Sequence, residues 1–129
     1  MAIPSTGSRN VFPDDFAWGV ATSAFQLEGS PNADWTGWDA ALLARPKVTN
    51  HYGLFRDDLK LLRDLGVNAY RFSIEWSRIQ PREDTWDEDA IAHYQEVVNI
   101  LRGYGIEPML TLHHFTHPRW FLERHPWHK

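Results

Sequence analysis

The residues from Ala69 to Arg78 alternate between two faces with a period of two, which predicts a β-strand over 69–76. One face carries Tyr70, Phe72, Ile74 and Trp76, and the other carries Ala69, Arg71, Ser73 and Glu75. Helical patterns precede and follow this strand, so we expect it to be parallel to its neighbours and covered by helices. Because burying a charge is costly unless it is paired or hydrated, the second face should line a polar cavity. The alternative is an edge strand with a solvated face.

Two amphipathic helices and two further strands follow from the same patterns. The predicted elements are strands over Phe16–Ala21, 69–76 and Glu107–Phe115, and helices over Tyr52–Leu65 and from an Asp87 N-cap to Gly105. Gly66 is a suitable C-terminal stop for the first helix. The order β-α-β-α-β with short connections implies parallel strands joined by right-handed crossovers, which is an α/β fold.

Residues 30–50 contain Pro31, Gly37 and Pro46 and show no sustained period. We expect a long loop there, with a helical turn near Trp38–Ala44, and loops of this length in compact domains are often functional. Residues 1–10 are polar, and we expect them to form a flexible N-terminus.

Some polar residues are expected to have structural roles only. Asp58 lies inside the apolar arc of the first helix, so it should accept a hydrogen bond from a neighbour. Glu28 is expected to be a structural or capping acceptor rather than a catalyst. His51 and His93 are expected at the surface.

Composition narrows the function classes. The 129 residues include 43% hydrophobic and 23% charged residues, which is an ordinary globular balance, and the net charge of −4 comes with no basic run. Nucleic acid and anionic membranes are therefore not expected as partners. The chain has no cysteine, no apolar stretch of membrane length and no signal-like start, so we expect a cytoplasmic protein. Aromatic residues make up 14%, and aromatic faces suit the apolar faces of sugar rings.

Polar side chains converge where the predicted parallel strands end, which is where ligands bind in such folds. They are Gln26, Arg71, Glu75, His113, His114 and Thr116. Amide and imidazole groups both donate and accept hydrogen bonds, as the hydroxyl groups of a neutral sugar require. A histidine metal module is an alternative. However, His113 and His117 lie on a strand and its exit rather than on one helical face, and no cysteine accompanies them, so no metal is expected.

Three ordered motifs resemble glycoside hydrolase family 1, the β-glucosidase and β-galactosidase family. They are FPDDFAWGVATSAFQLEG (Phe12 to Gly29), YRFSIEWSRIQP (Tyr70 to Pro81) and TLHHFTHPRW (Thr111 to Trp120). The resemblance covers nearly all of the chain from Phe12 onward. It implies that residues 11–129 form the N-terminal portion of a (β/α)8 barrel, with three of its eight strands.

The resemblance also implies roles for single residues. Gln26 and His114 would bind hydroxyl groups of the glycone sugar, and Phe115 would form a wall where the family more often has a tryptophan. Arg71 would support the nucleophilic glutamate from beside it and favour its ionised form. Trp120 would border the aglycone entrance. The role of Glu75 stays open, because the family fills this position variously.

Neither catalytic glutamate motif of the family, Asn-Glu-Pro or Thr/Ile-Glu-Asn-Gly, occurs in the sequence. Retaining hydrolysis needs two carboxyl groups about 5–5.5 Å apart, and nothing in the spacing of Glu28 and Glu75 suggests that they substitute. We therefore expect a part of a retaining β-glycosidase, without metal or organic cofactor, that is inactive alone. Its partners would be a β-linked sugar and either the remainder of the barrel or further copies of itself. The alternative is a non-catalytic fragment that self-associates or binds sugar weakly.

Overall fold

The computed structural model describes residues 12–37 and 49–125 of the chain. Its elements are β1 (Gly19–Ala21), α1 (Ala24–Glu28), a 3₁₀ helix (Asp34–Gly37), α2 (His51–Leu65), β2 (Ala69–Ser73), α3 (Trp76–Ile79), α4 (Glu88–Gly103), β3 (Glu107–Thr111) and α5 (Arg119–Arg124). The flexible N-terminus expected for residues 1–10 and the helical turn expected near Trp38–Ala44 lie outside the described residues. None of the helices in the described ranges is both long enough and apolar enough to span a membrane.

The described strands form one parallel sheet in the order β1-β2-β3, as the predicted crossovers require. Tyr70 is in register with Val20 and Pro108, and the next residue, Arg71, is in register with Ala21 and Met109. Strand β2 therefore has a neighbour on each side, and the alternative of an edge strand is wrong. We call the face with Tyr70 the outer face, because helices α2 and α4 cover it, and the face with Arg71 the inner face.

Strand β1 is shorter than predicted, because the Asn68 side chain bonds the backbone on both sides of Ala17. The Trp18 N–H donates to Asn68 Oδ1 at 2.7 Å, and Asn68 Nδ2 donates to the Phe16 carbonyl oxygen at 3.0 Å. Phe16 and Trp18 stay exposed and pack on Phe12. The Trp18 carbonyl oxygen still accepts from the Ala69 N–H of β2, at 3.2 Å, but the side chains of Phe16 and Trp18 form a surface aromatic cluster.

Strands β2 and β3 also end early, at the register pair Ser73 and Thr111. After β2, the Glu75 side chain accepts from the Ser77 N–H and caps α3, so Trp76 is helical and not part of the strand. After β3, the chain turns sharply at Phe115, whose φ of +67° is in the left-handed region. A capped helix and a tight turn therefore occupy residues that were predicted to belong to the two strands.

The core lies between the outer face and helices α2 and α4. Its buried residues are Phe55, Leu59, Tyr70, Phe72, Tyr94, Val97, Leu101 and Ile106. Both helices have the predicted signals: Gly66 follows α2 with φ +78°, and the Asp87 side chain accepts from the Ala90 N–H at the start of α4. The apolar stripes of the two helices therefore meet the apolar residues of β2.

The predictions for polar residues of α2 and α4 were partly confirmed and partly wrong. Asp58 accepts a hydrogen bond from His51 Nδ1 at 2.7 Å, which confirms its structural role. The surface positions expected for His51 and His93 are wrong. His51 is buried, and His93 is half-buried with its ring stacked on Tyr52. Burial lowers the pKa of His93 to about 4, and the nearby His51 adds to this effect.

Candidate functional site

A pocket of about 110 Å³ opens beside the carboxyl ends of β1 and β3. Its lining residues are Ser23, Phe25, Gln26, Trp35, His114, Phe115 and Thr116. Three of the four residues expected to contact a sugar, Gln26, His114 and Phe115, therefore line one pocket. They come from positions almost 90 residues apart in the sequence, and the parallel sheet brings them together.

Helix α1 positions Gln26 by being fixed at both of its ends. At its start, the Ala24 N–H donates to Ser73 Oγ at the end of β2, at 2.7 Å. At its end, Arg78 donates to the carbonyl oxygens of Glu28 and Gly29, at 3.2 and 2.6 Å. The short helix is thus bound to the residues at and after the end of β2, and Gln26 is presented from a fixed backbone.

The Glu28 side chain strengthens this attachment, as expected for a structural acceptor. Its Oε2 accepts from the Tyr94 hydroxyl at 2.8 Å and lies 3.4 Å from Arg78 Nε. Burial raises the pKa of Glu28 to about 7, although the Tyr94 hydrogen bond and the Arg78 charge oppose this shift. A carboxyl group with such a pKa can serve in acid–base chemistry, but Glu28 is absent from the pocket lining.

The residues His114 to Thr116 form a tight turn that presents the second half of the pocket. The Thr116 N–H donates to the His114 carbonyl oxygen at 2.9 Å, and the residue between them has φ +67°. A bulky residue in the left-handed region is strained, and such strain persists only where surrounding contacts hold the backbone. Here it turns the exposed Phe115 ring toward the pocket, where the His114 ring lies 4.9 Å from it.

Two aromatic residues that were not predicted for the site, Trp35 and Phe25, complete the wall. Trp35 stacks on Phe115 with ring centroids 6.1 Å apart, and Phe25 meets Trp35 edge to face at 5.8 Å. Trp35 reaches the pocket because Asp34 bonds the exit of β3: the Asp34 N–H donates to the His117 carbonyl oxygen at 2.9 Å. A tryptophan within a long loop was the signal available in the sequence.

The other predicted residues lie outside this pocket. Arg71 is exposed on the inner face, and its Nε donates to Thr111 Oγ1 at 3.0 Å. Trp120 is half-buried, and its Nε1 donates to the Gln80 carbonyl oxygen at 2.9 Å. His113 packs against Trp76, and burial followed by the neighbouring His117 lowers its pKa. Within the described ranges, no group of three or more His, Asp or Glu residues is arranged to hold a metal ion.

Comparisons with known proteins agree on one family. The family model described as Glycosyl hydrolase family 1 matches residues 8–129. Beta-glucosidase 42 of Arabidopsis thaliana is 38% identical over 92% of this chain and 27% of its own length. The chain spans about a quarter of the length of the curated relatives that it matches.

Solved structures show the same relationship in three dimensions. A beta-glycosidase from Pyrococcus horikoshii is 45% identical, with a TM-score of 0.76, over 87% of this chain and 27% of that protein. A beta-glucosidase from Thermotoga maritima, solved in complex with castanospermine, is 26% identical, with a TM-score of 0.77, over 92% of this chain and 30% of that protein. The described α/β unit therefore shares its fold with a segment of these larger β-glycosidases.

Proposed function

Because this chain belongs to glycosyl hydrolase family 1, we propose that it forms the glycone-binding part of a retaining β-glycosidase. The whole enzyme would be a (β/α)8 barrel that hydrolyses β-glucosides or related β-glycosides. The observation that carries the proposal is the meeting of Gln26 and His114 in one aromatic-walled pocket. An amide and an imidazole can both donate to and accept from sugar hydroxyl groups, and aromatic rings pack on the apolar face of the sugar.

The chemical step would need groups from outside this chain. Both family glutamate motifs are absent from the sequence, and retaining hydrolysis requires a nucleophile and an acid/base. Arg71 would contribute to that step indirectly. Its exposed guanidinium lies on the inner face, where its positive charge would stabilise the ionised form of a nearby glutamate nucleophile.

The apolar surface beside β3 supports the proposal that the rest of the barrel packs there. Leu110 on the outer face of β3 and Leu112 just after the strand are 42% and 69% exposed. Leu110 lines a groove of about 430 Å³ together with mainly apolar residues of α4 and of the segment after β2. Exposed apolar surface of this kind is typical of an interaction site.

A chimera tests the function. We would replace the matching segment of the Pyrococcus horikoshii β-glycosidase by this chain and measure hydrolysis of a nitrophenyl β-glucoside. We expect activity in the chimera and none above blank for the 129-residue chain alone. In the chimera, His114→Ala should lower kcat/KM at least about tenfold, since it removes contacts that form with the sugar. The matched control is His125→Ala, at an exposed histidine outside the pocket lining.

An inactive but folded chimera would contradict the glycosidase proposal. It would favour the second candidate, a non-catalytic fragment that self-associates through the exposed leucines or binds sugar weakly. Light scattering distinguishes these roles further, because self-association predicts a mass that increases with concentration. A stable monomer of 15.1 kDa at high concentration would argue against self-association.

A further inference from the structure

Glu75 was the residue without an assigned role, and its surroundings show an unusually complete set of hydrogen bonds. The side chain follows β2 and is only 1% exposed. Its Oε1 accepts from the Ser77 hydroxyl at 2.6 Å and from the Ser77 N–H at 3.3 Å. Its Oε2 accepts from the Thr116 hydroxyl at 3.0 Å. A buried carboxyl group with donors on both oxygens is held in one orientation.

Hydrogen bonds connect Glu75 to both segments that carry the polar pocket residues Gln26 and His114. Thr116 closes the strained turn that begins at His114, and its hydroxyl binds Glu75 directly. Ser77 leads to the other side, because its hydroxyl oxygen lies 2.7 Å from Ser30 Oγ, two residues after α1. The single proton of the Ser77 hydroxyl is directed at the carboxyl group, so Ser30 donates to Ser77. Glu75 therefore connects the segment after Gln26 to the turn at His114.

We propose that Glu75 is a positioning residue that fixes the His114–Thr116 turn and thereby the distance between the two sugar-binding side chains. The inference rests on the proposed glycone-binding role of the pocket. The strain at Phe115 supplies the physical reason. A backbone in the left-handed region relaxes when its anchors are lost, and the Thr116 hydroxyl bond to a buried carboxyl group is a strong anchor.

The first experiment measures the turn itself in the 129-residue chain, without any need for activity. Thr116→Val keeps the shape of the side chain and removes the hydroxyl donor, whereas Thr116→Ser keeps the donor. We expect Thr116→Val to raise amide hydrogen exchange over residues 112–118 by about tenfold. Helix α4 should exchange as before, and Thr116→Ser should match the unchanged chain. Unchanged exchange over 112–118, or an equal rise in α4, would overturn the proposal.

A second variant keeps the test decisive if Thr116→Val does not fold. Glu75→Gln preserves the volume and an acceptor for Ser77, but it can present an amide N–H₂ to the Thr116 hydroxyl. We expect exchange over 112–118 to rise in the same direction by a smaller factor, about threefold, because a neutral hydrogen bond is weaker than a charge-assisted one. No local rise in this variant would equally contradict the role of Glu75.

The sugar-binding consequence is measured separately in the Pyrococcus horikoshii chimera. Thr116→Val should raise KM for a nitrophenyl β-glucoside about tenfold, with Thr116→Ser within about twofold of the parent chimera. A looser turn with unchanged KM would overturn the link between Glu75 and sugar binding. An inactive parent chimera would instead count against the proposed function, and the exchange result would still decide whether Glu75 positions the turn.

Discussion

The outer faces of β2 and β3 carry similar apolar residues in very different environments. On β2, Tyr70 and Phe72 are 2% and 4% exposed, because helices α2 and α4 both pack over them. On β3, Leu110, the register partner of Phe72, is 42% exposed, and Leu112, just after the strand, is 69% exposed. Helix α4 packs against β3, whereas the buried α2 residues Phe55 and Leu59 cluster with Tyr70 and Phe72 of β2. In the described residues, the strand face that two helices cover is fully buried, and the neighbouring strand face is partly exposed.

The largest effect on stability should come from a cavity in the core between the outer face of β2 and the two helices that cover it. Leu101 of α4 is fully buried in the core, so Leu101→Ala should lower the free energy of unfolding by about 2–5 kcal/mol. Urea unfolding followed by tryptophan fluorescence measures this change. The matched control is Leu112→Ala at an exposed leucine just after β3, for which we expect a change within about 0.5 kcal/mol. Similar losses for both variants would show that the two faces do not differ energetically.

The next effect is a pH dependence of stability that comes from the buried carboxyl group of Glu28. The folded state raises the pKa of Glu28 from 4.5 to about 7, mainly by burial. Between these values the unfolded chain releases a proton that the folded chain keeps. The contribution of Glu28 to stability should therefore fall as pH rises through this window, by on the order of 3 kcal/mol, and Glu28→Gln should remove this contribution.

His93 changes stability with pH in the opposite direction to Glu28, which allows a second test. Its pKa falls from 6.5 to about 4 on folding, so between those values the unfolded chain binds the additional proton and stability rises with pH. In Glu28→Gln, the rise between pH 4.5 and 6.5 should therefore be steeper than in the unchanged chain. Unfolding curves at pH 5, 6 and 7.5 measure both slopes. Identical pH dependence in the two proteins would contradict the assigned role of Glu28.

The smallest effect should come from the ion pair that joins the two covering helices at the surface. Arg56 donates to both carboxylate oxygens of Glu96, at 2.7 and 2.6 Å, but both side chains are exposed. Glu96→Gln should lower the free energy of unfolding by only about 0.2–1 kcal/mol. Added salt should reduce the difference between the variant and the unchanged chain. A loss as large as that of Leu101→Ala would mean that charge, rather than apolar burial, holds the helices over β2.

Most helices and strands could be predicted from local sequence patterns, but the residues at which the strands end could not. Helix α2 and the Asp87 cap were predictable because their signals lie within a few neighbouring residues. The end of β2 was mispredicted because the alternation continues through Trp76, while the Glu75 side chain captures the Ser77 N–H for a helix. The surface positions predicted for His51 and His93 were wrong because both rings have partners that local patterns do not show. His51 hydrogen-bonds to Asp58, and His93 of α4 stacks on Tyr52 of α2.

The sequence by itself determined the parallel α/β order, the family motifs and the residue types suited to a sugar, including Gln26 and His114. Only the tertiary structure decided which of these residues share a pocket. It placed Trp35 in the wall, kept Trp120 outside it and connected Glu75 to both halves. The physical reason is that periodicity and capping act over a few residues. The pocket depends on hydrogen bonds between segments more than 40 residues apart, such as the one from Thr116 to Glu75.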